Sequence, residues 1–174
     1  MKVLATIDQR LFHWISEQVT RFDERRTMLF FKTVSKTGDG HLYFVLAALL
    51  FLLDEAHGTL FLYTALLAYA LEIPIYIVLK HLFKRRRPSE LFVHCSSVII
   101  PSDKFSLPSG HTAAAFLMAT VIFQFYPAVS PLAFIWASCV GLSRIVLRVH
   151  FPLDVLVGMA LGISLAVVSM SILG

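Results

Sequence analysis

Three polar clusters interrupt an otherwise apolar chain, and together they hold residues able to bind and transfer a phosphoryl group. The first is "KHLFKRRRP", with Lys80 and then Arg87 before Pro88; the second is Pro108-Ser109-Gly110-His111; the third is "SRIVLRVHFPLD", with Arg144, His150 and Asp154. Lys80 and Arg87 offer fixed positive charge, and the planar guanidinium suits phosphate oxygens. Ser109 can cap a following helix and leave backbone N–H groups at its start. Those donors and the positive end of the helix dipole favour an anion. Gly110 would let that anion approach the backbone closely. Asp154 follows His150 by four residues, so on a helix start it can hold one imidazole nitrogen and leave the other unprotonated. That is the orienting logic of a catalytic triad applied to a histidine nucleophile. His111, from another segment, is then available as general acid on the leaving oxygen.

Each residue taken singly has a plainer explanation. Lys84, Arg85 and Arg86 read as a basic flank at a bilayer surface. A Pro-Ser-Gly-His stretch is also an ordinary helix start, and an aspartate in a first turn simply complements the dipole. Glu72, two residues before Pro74 in an apolar block, is expensive in lipid; it reads as a helix-packing contact or a protonated acid. Cys95 and Cys139 lack metal-ligand spacing and are expected to be unpaired, without a redox role. The joint occurrence of the three clusters is what the plain explanations fail to cover.

The elements that must position these residues are membrane helices. Of 174 residues 57% are hydrophobic and 15% charged, with net charge +4 and mean hydropathy +0.77. A soluble domain would be nearer half apolar and a quarter charged. Apolar blocks at 59–79, 112–125 (extended back to Ser109), 129–147 and 153–173 have the length or flanks of spans. A fifth block, 42–53, is short against the roughly 20 residues a span needs. Upstream, Leu11, Phe12, Ile15, Val19 and Phe22 recur at helical spacing beside Trp14, with His13, Glu17 and Gln18 opposite. That pattern predicts an amphipathic helix lying on the membrane surface. The expected architecture is all-α: a polytopic membrane helix bundle of about five spans, preceded by an N-terminal amphipathic helix. Residues 1–37 form the interfacial segment and 38–174 the membrane-embedded domain. The opening "MKVLATIDQRLFHW" lacks the apolar run and cleavage site of a signal peptide, so no leader is expected. Tight links at 54–58 and 126–129 make the spans alternate, which brings all three polar clusters to one membrane face. The long loop 80–108 lies on that face and is the expected lid or entry region.

Lys80-x6-Arg87-Pro88, then Pro108-Ser109-Gly110-His111, then Ser143-Arg144-x5-His150-x3-Asp154 resembles the three-part signature of the type-2 phosphatidic acid phosphatase family of membrane enzymes. The match covers residues 80–154, and the family's helical core extends it to about 38–173. The resemblance implies a metal-independent lipid phosphatase without a cofactor. It implies that Lys80, Arg87, Ser109, Gly110 and Arg144 bind the substrate phosphate. It further implies that His150 attacks phosphorus to form a phosphohistidine, that Asp154 orients it, and that His111 protonates the leaving group. Bacterial members of the family act on phosphatidylglycerophosphate, phosphatidate and undecaprenyl pyrophosphate, so a membrane lipid phosphate is the expected partner. No nucleic acid and no obligate protein partner is expected.

Two other readings compete. A vanadate-dependent haloperoxidase would share the anion-site residues, but those proteins are soluble. A non-enzymatic phospholipid-binding or transport membrane protein could keep the anion site, yet would not need His150 with Asp154. Orientation is contested as well. All 15 Lys and Arg lie on the clustered face or before the first span, which by the positive-inside rule points that face to the cytoplasm. The resemblance implies the periplasmic or lumenal face of a bacterial inner membrane, and that is the expectation adopted.

Overall fold

The structure, a computed structural model, describes residues 2–21, 23–92, 95–101 and 103–173. Among them the regular structure is helical: α1 (Lys2–Thr20), α2 (Glu24–Thr37), α3 (Gly40–Leu53), α4 (Gly58–Phe83), the single turn α5 (Pro88–Leu91), α6 (Gly110–Phe125), α7 (Ser130–Val146) and α8 (Pro152–Leu173).

α6 is the centre of the bundle. Ala113, Ala115, Leu117, Ala119 and Val121 are fully buried, so side chains on every face of this helix are covered by protein. A helix apolar all round belongs in such a place. Its 16 residues give roughly 24 Å at 1.5 Å per residue, short of a hydrocarbon core of about 30 Å. Its neighbours surround it along most of its length, and only its last turn, with Phe123, is exposed. α8 lies closest, because Gly158 and Gly162 form a G-x-x-x-G stretch facing α6. A Cβ on Gly162 would sit 2.1 Å from the Ala113 carbonyl oxygen, and one on Gly158 would sit 2.5 Å from that of Ser109. Small residues let two backbones approach in this way. The same device joins α3 to α4, where a Cβ on Gly58 would lie 2.0 Å from the Leu50 carbonyl oxygen.

Three helical runs are long and apolar enough to cross a membrane: Gly58–Leu91, Pro127–Val146 and Pro152–Leu173. α2 and α3 pass the same test as a pair broken by a 49° bend. With α6 these account for the expected number of apolar elements, and the protein is an integral membrane helix bundle. Outward-facing Phe44, Leu52 and Leu53 of α3, Val78 of α4 and Leu132 of α7 are more than half exposed, as lipid-facing side chains would be.

The N-terminal segment differs from expectation in two ways. It contains two helices, and α1 is docked as well as amphipathic. Phe12 is 1% exposed, packed with Ile145 and Phe151, whereas Leu11 and Trp14 of the same apolar stripe point outward. Phe22, the last member of that stripe, lies outside the described residues.

Candidate active site

His150 is placed by the way α7 ends. After the C-cap Leu147, Arg148 adopts a left-handed conformation with φ of 62°. The reversed chain lets the Val149 and His150 N–H groups donate back to the Arg144 carbonyl oxygen, at 3.2 and 3.1 Å. Left-handed residues past a helix end commonly satisfy orphan carbonyls like this. Pro152 then opens α8, as proline does in a first turn, and Asp154 falls one turn beyond His150. Both are buried.

The Asp154 carboxylate is used on both sides. Its Oδ2 accepts the Phe151 N–H at 2.8 Å and stands 3.6 Å from His150 Nδ1, somewhat beyond hydrogen-bond length. Its Oδ1 takes a bond from Arg85 Nη1 at 2.7 Å. A carboxylate facing Nδ1 favours the proton there and leaves the lone pair on Nε2. Burial pushes the His150 imidazolium down to about 4; Asp154 pulls against the shift, while Arg144 and Arg87 add to it. The ring is thus neutral at pH 7, the form a nucleophile needs.

Lys80 and Arg87 converge as the sequence predicts, but on an anion supplied by the chain itself. Lys80 Nζ donates to Asp103 Oδ1 and to the Phe105 carbonyl oxygen at 2.8 Å. Arg87 Nη2 reaches Asp103 Oδ1 at 2.7 Å, and Tyr76 donates its hydroxyl to Asp103 Oδ2 at 2.7 Å. Arg87 Nη1 donates to the Val149 carbonyl oxygen at 2.6 Å and stands 3.5 Å from His150 Nε2. Burial pushes the Asp103 carboxyl up, but the bonds from Lys80 and Tyr76 and the charges of Lys80 and Arg87 outweigh it and hold it at about 2.

Three expectations at Pro108-Ser109-Gly110-His111 need correction. Ser109 occupies the N-cap of α6 without a side-chain capping bond; its hydroxyl pairs with Thr112 Oγ1 at 2.9 Å. Nor is its backbone N–H open to a ligand, because it donates to the Asp154 carbonyl oxygen at 3.0 Å, tying α6 to α8 beside the catalytic candidate. The space at Gly110 is taken by a side chain: a Cβ there would meet the Tyr76 ring at 2.8 Å. Only the next N–H groups, in the first turn of α6, keep the orphan character that suits an anion.

His111 and Arg144 meet across a cavity of about 430 Å³, lined also by Lys32, Ser35, Lys36 and Asp39. Arg144 Nη1 donates to Ser35 Oγ at 2.5 Å, while its buried Nε has no partner among the described residues. His111 Nε2 is 3.0 Å from Asp39 Oδ1. Asp39 is the N-cap of α3 but makes no capping bond, which frees its carboxylate for the imidazole. A second cavity of about 370 Å³ lies on the other side of His111, lined by Gly110, Tyr76 and Glu72. Glu72 is buried within α4 and lines this chamber.

Sequence reasoning missed Asp103, Tyr76, Asp39, Arg85 and Asp8. Asp103 and Arg85 stood in a loop read as a lid and a basic flank. Asp8 and Asp39 lie far away in sequence, and Tyr76 belongs to an unremarkable apolar run. Arg85 is not a free surface cation: it bridges Asp154 and Asp8.

Known proteins resemble this chain in sequence and in fold. LpxE of Aquifex aeolicus superposes with a TM-score of 0.81 at 32% identity, over 94% of each chain. A transmembrane PAP2 type phosphatidylglycerolphosphate phosphatase from Bacillus subtilis shares the fold, with a TM-score of 0.74 at 23% identity over 99% of this chain and 87% of that one. Decaprenylphosphoryl-5-phosphoribose phosphatase of Mycobacterium tuberculosis is 36% identical over 104 residues, covering 58% of this chain and 54% of that protein. This chain thus spans about half the length of that curated relative. The family model of the PAP2 superfamily matches residues 58–174, which hold all three polar clusters and the four helices that carry them, and the chain belongs to that superfamily.

Proposed function

We propose that the protein is an integral-membrane lipid phosphate phosphatase that works through a phosphohistidine and requires no metal. One observation carries this reading: two buried cations converge on an anion beside a neutral, buried imidazole whose Nε2 lies 3.5 Å from Arg87 Nη1. A binding or transport protein would use the cations and has no need of the His150–Asp154 pair.

In this mechanism the lipid phosphate takes over the ligands of Asp103 and gains Arg144 and the first N–H groups of α6. His150 Nε2 attacks phosphorus, and the phosphorus–oxygen bond to the lipid breaks. His111, acting as general acid, passes a proton to the departing oxygen. A water then attacks the phosphohistidine, giving its proton back to His111 and releasing inorganic phosphate with free His150. Fixed cations and helix-start donors around the transferring group supply the electrostatic stabilisation.

An apolar cavity of about 230 Å³ between α3 and α4, lined by Tyr43, Phe44, Leu62, Leu66 and Met118, shares Gly40 and Ile73 with the chamber beside His111. This supports a lateral route in which the lipid tail stays in the bilayer and the phosphate reaches His150. We further read residues 38–174 as the membrane-embedded phosphatase domain and 1–37 as an interfacial segment. We assign the protein to a bacterial inner membrane with its active site facing the periplasm.

The test is phosphate release by purified protein in detergent with EDTA. The panel holds phosphatidate, phosphatidylglycerophosphate and undecaprenyl pyrophosphate. It also holds lipid A 1-phosphate and decaprenylphosphoryl-5-phosphoribose, the substrates named for relatives. Metal-independent release that disappears in His150→Ala is expected. Release that survives in that variant would overturn the mechanism.

A further inference from the structure

The N-terminal helix, outside the region matched by the family model, reaches the catalytic candidate through two ionic contacts. Asp8 of α1 is 5% exposed. Its Oδ2 pairs with Arg85 Nη2, and its Oδ1 accepts the Leu153 N–H at 2.8 Å, in the first turn of α8. Arg85 Nη1 then holds Asp154 Oδ1 at 2.7 Å. One turn further along α1, the Phe12 ring meets that of Phe151 edge-on at 5.3 Å, and the Arg85 guanidinium lies 4.4 Å from the centroid of the same Phe151 ring. Two residues of α1 therefore bracket the turn that carries His150 and Asp154.

The arrangement has a physical purpose. A carboxylate as buried as Asp154 needs partners for both oxygens, and a single mobile cation could draw it away from the imidazole. Arg85 gives one arm of its fork to Asp154 and the other to Asp8, which fixes the guanidinium plane and confines Asp154 by Oδ1 alone. Oδ2 is left to the Phe151 N–H and to His150 Nδ1. Lysine, a point charge, cannot bridge two carboxylates with the same geometry. The charged groups facing the His150–Asp154 pair include Lys80 from α4, Arg85 and Arg87 from the segment after α4, Arg144 from α7, and Asp8, behind Arg85, from α1.

We propose that Arg85 and Asp8 are positioning residues for the nucleophile, so that α1 completes the active site by holding Asp154 in register with His150. The proposal rests on His150 as the attacking group. It is tested by steady-state kinetics and pH profiles on a short-chain phosphatidate in detergent, with wild type, His150→Ala, Arg85→Gln, Arg85→Lys, Asp8→Asn and the Arg85→Gln/Asp8→Asn double variant. Arg85→Gln should lower kcat by up to ~100-fold with little change in KM, the usual scale for a misplaced reacting group. Arg85→Lys should recover part of that loss. Asp8→Asn, nearly isosteric and still able to accept the Leu153 N–H, should also lower kcat, and the double variant should be no worse than Arg85→Gln alone.

The pH profile separates position from charge. Removing Arg85 takes a cation from beside the pair and moves the acid limb of kcat/KM to higher pH; removing the Asp8 charge moves it down or leaves it. Both variants should lose kcat despite those opposite charge changes. Opposite changes in kcat, a rise in KM alone, or wild-type kinetics in Asp8→Asn would each overturn the proposal while His150→Ala stays inactive. An active His150→Ala would instead sink the underlying assignment of the nucleophile.

Discussion

At the scale of single residues, the most consequential finding is that Asp103 already satisfies the cations a phosphate would need. Lys80, Arg87 and Tyr76 all donate to its carboxylate. With its carboxyl held at about 2, it stays ionised across any working pH. An incoming oxyanion must therefore displace a charge-assisted set of bonds, each worth about 1.5–3 kcal/mol. Asp103→Asn should leave the two cations under-neutralised and tighten inhibition by vanadate or inorganic phosphate by about tenfold, equivalent to ~1.4 kcal/mol. Inhibition constants measured side by side settle the sign: weaker binding in the variant would make Asp103 a prop for the cations instead of a competitor. His150 gives a second expectation. Its imidazole is the reactive form only when neutral, and its folded-state value is about 4 against an ordinary 6.5. Activity is thus retained as pH falls through 6.5 and is lost only as pH approaches 4. Since kcat/KM reports the free enzyme, its acid limb should lie well below the usual histidine range, and a limb near 6.5 would contradict the buried, neutral ring.

At the scale of elements, the site depends on how closely α6 and α8 approach. The Ser109 N–H bond to the Asp154 carbonyl oxygen exists only because Gly158 and Gly162 admit the α6 backbone. Gly162→Ala would place a Cβ 2.1 Å from the Ala113 carbonyl oxygen, which forces the helices apart. Overpacking of this kind costs about 1–3 kcal/mol, and it should appear as a lower thermal midpoint in detergent together with lost turnover. Gly40→Ala, where a Cβ meets nothing within 4 Å, is the matched control and should leave stability within about 0.5 kcal/mol of wild type. The apolar helices α3, α4, α6, α7 and α8 were readable in advance because long apolar blocks leave few alternatives, and the expected block 153–173 differs from α8 by one residue at its start; α2, whose charged start hides its apolar stretch, was not. The three motifs were readable because they are local in sequence. The residues that hold those motifs in place were not. Asp8 pairs with Arg85 across 77 positions and Asp39 with His111 across 72, and pairing at such range leaves no periodicity or spacing to find. Gly110 misled for the related reason that a missing side chain does not say what fills its place; here the Tyr76 ring does.

At the scale of the whole molecule, the ion pairs bear on how the protein sits in its membrane. The positive-inside rule counts Lys and Arg near span ends whatever acidic neighbours they have, so a cation that the site itself requires is biased evidence for topology. Lys80 and Arg87 are committed to Asp103, and Arg85 to Asp8 and Asp154, while Arg144 is buried against Ser35. Those four of the 15 Lys and Arg are accounted for by the site. Eleven remain, among them Lys84, Arg86, Lys104 and Arg148 on the face of the site itself; those of α1 and α2 sit on helices docked against the same end of the bundle, so they follow the active site to whichever side it takes. The periplasmic side proposed above is therefore open to a direct test. The exposed Ser96, in the segment between α5 and α6, gives a direct reading. In a variant with Cys95 and Cys139 replaced by serine, Ser96→Cys should react with a membrane-impermeant maleimide in right-side-out vesicles before lysis. Labelling only after lysis would turn the protein over: the basic N-terminal helices would then be doing what the positive-inside rule says, and the phosphate would be released into the cytoplasm.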